Sequence, residues 1–176
     1  MNRRKAIQRT SLIVGGMLAA PILQAVQGQA LSATNRLAVS AEHEALLADL
    51  ADVIIPTTAT PGAKAARVEQ FIVRVVRDCY ETPEQEKFYN GLTGFGQLCQ
   101  KTFGKPFADL GEADRISAVK LLTKANPAFF KSMRELTVTG YFSSKIGATQ
   151  ALAYQPIPGK LIGCMPLTND QKTWAL

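Results

Sequence analysis

Chemistry at neutral pH needs side chains that can move a proton, attack a substrate or hold a metal, and this sequence is poor in them. His43 is its only histidine, set between Glu42 and Glu44 at the start of a predicted helix. One histidine supplies neither a His-rich metal site nor a histidine acid paired with a histidine base, and at that place it reads as surface. Glu81, Glu84 and Glu86 cluster at another predicted helix start, where the positive end of the helix dipole is reason enough for acids. The three cysteines stand at 79, 99 and 164. Cys79 and Cys99 fall on apolar stripes, where a buried free thiol packs as a small hydrophobe. Cys164 lies in an irregular segment between Gly163 and Met165, and reads either as a buried structural thiol or as one bonded to a partner chain. In an oxidising compartment two of the three can pair, leaving one over. The sequence has no Cys-x-x-Cys-His, no Gly-x-Gly-x-x-Gly, no phosphate-binding loop and no Gly-x-Ser-x-Gly elbow. The expectation is a chain that is no enzyme by itself, with no catalytic, cofactor-binding or metal-binding residues.

The charge is equally uninformative about ligands once it is dissected. A net +6 over 176 residues suggests an anionic partner, but Arg3, Arg4, Lys5 and Arg9 carry four of those charges, with no acid before Glu42. Without residues 1–30, sixteen basic side chains face fourteen acidic ones. No basic cluster interleaved with aromatics is left, which sets nucleic-acid binding aside. Residues 1–30 instead have the layout of an export signal: a charged start, an apolar stretch from Leu12 to Val26, and small residues at Gly28 and Ala30 around a cleavage site after Ala30. Arg3-Arg4 with the apolar Ile7 resembles a twin-arginine motif, although Ala6 is a weak match. A Sec signal and a retained anchor are the alternatives. The uninterrupted apolar core falls short of the roughly 20 residues that span a bilayer comfortably.

The elements that would position any site are helical. Ser40 caps a helix carrying Leu46, Leu47, Leu50, Val53 and Ile54, stopped by Pro56. After the loop 56–63, Val68, Phe71, Ile72, Val75, Val76 and Cys79 form one apolar stripe. Thr82-Pro83-Glu84-Gln85 reads as a capping box opening a helix with Phe88, Leu92, Phe95 and Cys99 inside. Close packing is the expected reason for Gly91, Gly94 and Gly96 within it. A further helix puts Ile116, Val119, Leu122 and Leu121 inward, and Asn126-Pro127 caps the last, which buries Phe129, Phe130, Met133, Leu136, Thr137 and Tyr141. The fold class is therefore all-α: a compact bundle of about five helices, with an extended, Pro/Gly-rich C-terminal segment. The expected layout is a signal at 1–30, a helical domain at 31–153 and the extended segment at 154–176.

That last segment breaks the helical rhythm without becoming polar. Tyr154, Pro156, Pro158, Ile162, Cys164, Met165 and Trp174 read as apolar anchors on an extended backbone, either covering the chain's own helices or docking a partner. Proline lowers the ordering entropy of a segment that wraps another surface.

Three phrases carry a resemblance. Leu50 to Val76, "LADVIIPTTATPGAKAARVEQFIVRVV", and the later "GYFSSKIG" and "YQPIPGKLIGCMPL" resemble the gluconate 2-dehydrogenase subunit 3 family. The resemblance implies an accessory subunit without catalytic residues. Its partner would be a large FAD-containing dehydrogenase of the glucose–methanol–choline type, acting on sugars, sugar acids, polyols or glycosides. It also implies a multihaem cytochrome c as a third subunit, and a periplasmic complex that associates with the membrane through its subunits or an uncleaved leader. The small subunit would stabilise the large one and lend it the Arg3-Arg4 export signal. The alternative is a stand-alone periplasmic helical binding or assembly protein.

Overall fold

The computed structural model describes residues 39–154, 159, 164, 166, 169 and 171–174. Five helices follow one another: α1 Ala41–Ile54, α2 Val68–Cys79, α3 Thr82–Phe103, α4 Glu112–Ala125 and α5 Pro127–Ser143. A short 3-10 turn, Phe107–Asp109, joins α3 to α4, and a π-helical turn, Gly147–Ala151, follows α5. Among the described residues there is no strand, only a single parallel bridge between Ala153 and Trp174. The all-α bundle expected from the periodicity is what forms.

Helix α1 starts where Ser40 Oγ accepts the His43 N–H at 3.2 Å and stops at Ile54, just before Pro56. It is the central helix, touching α2, α3, α4, α5 and the 3-10 turn. Burial on several sides explains why Leu47, Ala48, Asp49, Leu50 and Ala51 are all buried in succession. The two alanines let neighbouring helices approach. Helix α2 buries Val68, Ile72 and Val76, with Phe71 and Val75 half-buried. Cys79 departs from the stripe: it is the last helical residue, and its thiol is exposed. The backbone turns extended at Tyr80, so the helical period no longer dictates which way that side chain faces.

The start of α3 lies one residue earlier than its sequence suggests. Glu81, not Thr82, is the cap, and Pro83 sits inside the first turn. The Glu84 carboxylate accepts the Glu81 N–H at 3.4 Å. Gln85 is thereby released to turn inward, where its amide donates to the carbonyls of Arg77 at 3.2 Å and Tyr80 at 2.9 Å. Those bonds satisfy carbonyl groups at the end of α2 that the helix cannot. Phe88, Leu92, Phe95 and Cys99 are buried as expected. Of the three glycines, only Gly91 serves close packing, since a Cβ there would lie 2.6 Å from the Phe129 ring. Gly94 faces open space, and at Gly96 an added Cβ would make an ordinary 3.7 Å contact with Leu46.

Helix α4 is rotated from its expected orientation. Ala118 and Leu122 are buried, while Ile116 is 44% and Leu121 37% exposed. Packing against α3 and α5 selects the pair spaced four apart, with Val119 and Arg115 half-buried beside it. Helix α5 begins as expected, with the Phe129 N–H donating to Asn126 Oδ1 at 3.1 Å. Its inner face is Phe129, Met133, Thr137 and Tyr141. Gly140 brings it against α2, where a Cβ would meet the Phe71 ring at 2.6 Å. Fully burying each of these large apolar side chains is worth about 1.5–3 kcal/mol relative to leaving it exposed.

Candidate docking surface

Two irregular segments flank the bundle, and their packing distinguishes them. The first, between α1 and α2, folds into a clasp. The Ala63 N–H donates to Ile55 O and the Gly62 N–H to Thr57 Oγ1, both at 2.9 Å. A Cβ on Gly62 would lie 2.6 Å from the Thr57 nitrogen and 2.7 Å from Ile55 O, so only glycine fits. The buried Tyr141 of α5 donates its hydroxyl to Pro61 O at 2.7 Å, tying together residues eighty positions apart. Lys64 reaches Asp49 of α1 at 2.7 Å. Hydrogen bonding to that carboxylate, and then its charge, raises the Lys64 pKa above the ordinary 10.5. Asp49 is the one buried charged residue among the described residues, and pairing is what makes such burial tolerable.

The second segment begins where α5 ends. Ser144 Oγ donates to Tyr141 O at 2.6 Å and accepts the Gly147 N–H at 3.0 Å. A Cβ on Gly147 would overlap the Tyr141 carbonyl oxygen, so this turn also requires glycine. The π-turn closes with the Leu152 N–H on Gly147 O at 3.0 Å. The chain then extends, and the Ala153 N–H donates to Thr173 O at 2.8 Å. Lys172 Nζ donates to Gln150 O at 2.6 Å. Trp174 is thus brought back beside Ala153.

Apolar side chains are exposed on this segment and on α5. Tyr154 is 55% exposed and Trp174 50%, and on the outer face of α5 Val138 and Phe142 are each 40% exposed. Sequence reasoning singled out Tyr154 and Trp174 but missed Val138 and Phe142. Their signal was available, because they stand four residues apart and off the Phe129–Met133–Thr137–Tyr141 stripe. Cys164 is exposed and free, which overturns the reading of it as a buried structural thiol. Arg3, Arg4, Ile7, Ala30, Pro156, Pro158, Ile162 and Met165 lie outside the described residues.

Elsewhere the titratable groups are dispersed. His43 is half-buried rather than free on the surface: its ring stacks on Tyr89 with centroids 5.8 Å apart, and Nε2 lies 3.2 Å from Thr93 Oγ1. Burial raises the Tyr89 pKa, with the Glu44 charge adding to it. All three thiols are free, so no pair among them is joined. Burial pushes the Cys99 thiol up to about 11. Among the described residues, no group of three or more His, Cys, Asp or Glu side chains converges as a metal site would require. No helix among them is long and apolar enough to cross a membrane. An open cleft of about 460 Å³ lies between the end of α2, the start of α3 and the α4–α5 corner, lined by Cys79, Tyr80, Lys87, Phe88, Phe129 and Ser132 among others.

Comparison with known proteins gives one match. The family model described as gluconate 2-dehydrogenase subunit 3 matches residues 41–159, from the first residue of α1 past the π-turn. The clasp, Val138, Phe142 and Tyr154 fall within the matched range, and Cys164 and Trp174 fall beyond it. No curated protein and no solved structure matches the chain.

Proposed function

The chain belongs to the gluconate 2-dehydrogenase subunit 3 family, and from that premise we propose that it is the non-catalytic small subunit of an FAD-dependent dehydrogenase. The family is named as a subunit of a dehydrogenase, so a dehydrogenase chain is the partner to expect. The partner is of the glucose–methanol–choline type, holds the FAD, and oxidises sugars, sugar acids, polyols or glycosides. A cytochrome c subunit takes the electrons onward. This chain stabilises the large subunit and, through Arg3-Arg4 and Ile7, carries it through twin-arginine export to the periplasm, with cleavage after Ala30. Docking falls to the C-terminal end, where Tyr154 and Trp174, with Pro156, Pro158, Ile162, Cys164 and Met165 between them, meet the large subunit.

The observation that carries this reading is the pinned C-terminal end with its exposed aromatics. Tyrosine and tryptophan are the side chains most enriched where interfaces concentrate their energy. Fixing Trp174 beside Ala153 reduces the ordering entropy lost on docking. Co-expression with the flavoprotein tests it. Changing Arg3 and Arg4 to lysine should leave flavin-linked dehydrogenase activity in the cytoplasm. A large subunit that reaches the periplasm without this chain rules out the escort role.

A further inference from the structure

The outer face of α5 is charged at both ends of its apolar pair. Arg134, Val138 and Phe142 recur every four residues and so share one face, and Lys145 follows just beyond the helix; all four are exposed. Lys131 lies one turn before Arg134 and approaches Glu135 at 4.0 Å. Arg134 and Lys145 make no ion pair among the described residues. Lys172, fixed on Gln150 O, adds a charge beside the bridge that holds Trp174. From residue 127 to the C-terminus the chain has five basic and two acidic side chains. Helix α1 is the reverse, with four acids and no base. Along the chain, Arg134 and Lys145 bracket the exposed pair Val138 and Phe142.

Interfaces typically combine an apolar, aromatic centre with a polar, charged rim, and a helix enters a groove through residues at i and i+4. Resting on the docking role proposed above, we infer that the dehydrogenase face receiving α5 is a groove with an apolar floor for Val138 and Phe142. Asp or Glu carboxylates flank that floor, meeting Arg134 at one end and Lys145 at the other. An anionic bilayer also attracts cations beside tryptophan and tyrosine. Lipid-binding patches, however, gather about 4–8 Lys and Arg in one cluster. Here the cations bracket an apolar pair at helical spacing, with Lys131 near Glu135 and Lys172 held by a carbonyl.

The test uses the full chain co-expressed with the flavoprotein, comparing wild type with Arg134→Glu, Lys145→Glu and Phe142→Ala, with thermal melting to confirm that each folds. Each charge reversal should weaken association about tenfold or more at low salt. The wild-type complex should loosen as salt rises, and the reversed variants should lose most of that dependence. If Phe142→Ala weakens the complex while the reversals change neither affinity nor salt dependence, the carboxylate rim is wrong and docking through α5 stands. If all three variants leave the complex intact, docking through this face is wrong. Binding of the chain to phosphatidylglycerol vesicles, lost in Arg134→Glu while the complex is unchanged, assigns these cations to the membrane and overturns the inference.

Discussion

The loop between α1 and α2 and the segment after α5 look alike in sequence. Each is irregular, each carries proline, and each has one glycine, Gly62 or Gly147, at which a side chain would collide with backbone. Their surroundings are opposite. In the clasp, Ala63 is fully buried, Tyr141 donates to Pro61 O from within the core, and Asp49 holds Lys64. Its polar groups are spent on the chain itself. At the C-terminal end the hydrogen bonds join Ala153 to Thr173 and Lys172 to Gln150, and Tyr154 and Trp174 beside them are exposed. Similar composition thus serves two purposes, and burial, not Pro/Gly content, separates holding the fold together from offering a surface.

Substitutions sharpen that contrast. Gly62→Val should be the most damaging, because backbone atoms lie within 3 Å of the new Cβ and cannot move aside as a side chain tip would. A loss of about 3 kcal/mol is expected, seen as a fall in denaturation midpoint by circular dichroism; an unchanged midpoint would mean the clasp is not rigid. Tyr141→Phe removes the donor to Pro61 O and should cost about 1–3 kcal/mol in urea unfolding. A smaller effect is expected at the exposed end of the clasp. The raised Lys64 pKa means that the Asp49–Lys64 pair stabilises fully below pH 10.5 and is lost as pH rises through the higher folded value. Lys64 is more than half exposed, so solvent screening keeps this below about 1 kcal/mol. Asp49→Asn should remove that alkaline decline, measured by unfolding on both sides of the window. Cys79→Ser should shift stability least, within about 0.5 kcal/mol. In the same series, an aromatic disulfide reagent should modify Cys79 and Cys164 quickly and Cys99 only on unfolding.

The helices were legible because their signals are local. Ser40 and Asn126 caps, the Pro56 stop and the Val68–Ile72–Val76 stripe all follow from short-range geometry and burial. What sequence reasoning missed depends on contacts between distant residues. Ile116 and Leu121 match an inward pattern as well as Ala118 and Leu122 do, and only packing against α3 and α5 decides between them. The cap of α3 falls at Glu81, and Gln85 turns inward to the carbonyls at the end of α2, a contact that the local sequence does not show. The clasp phrase was recognisable as a motif, but its partner Tyr141 is eighty residues away. Tyr154 and Trp174 could be picked out as aromatic anchors, while the return of Trp174 to Ala153 could not, since a single bridge leaves no periodicity.

The account stands most directly on whether the C-terminal end binds the dehydrogenase without holding up the fold. The double variant Phe142→Ala, Trp174→Ala, co-expressed with the flavoprotein and followed by flavin absorbance during size-exclusion chromatography, tests both halves at once. The account predicts an unchanged melting temperature for the small subunit and a complex weakened about thirtyfold or more, as loss of an interface hot spot gives. Flavin that still co-elutes with the variant at the wild-type ratio after dilution would contradict it.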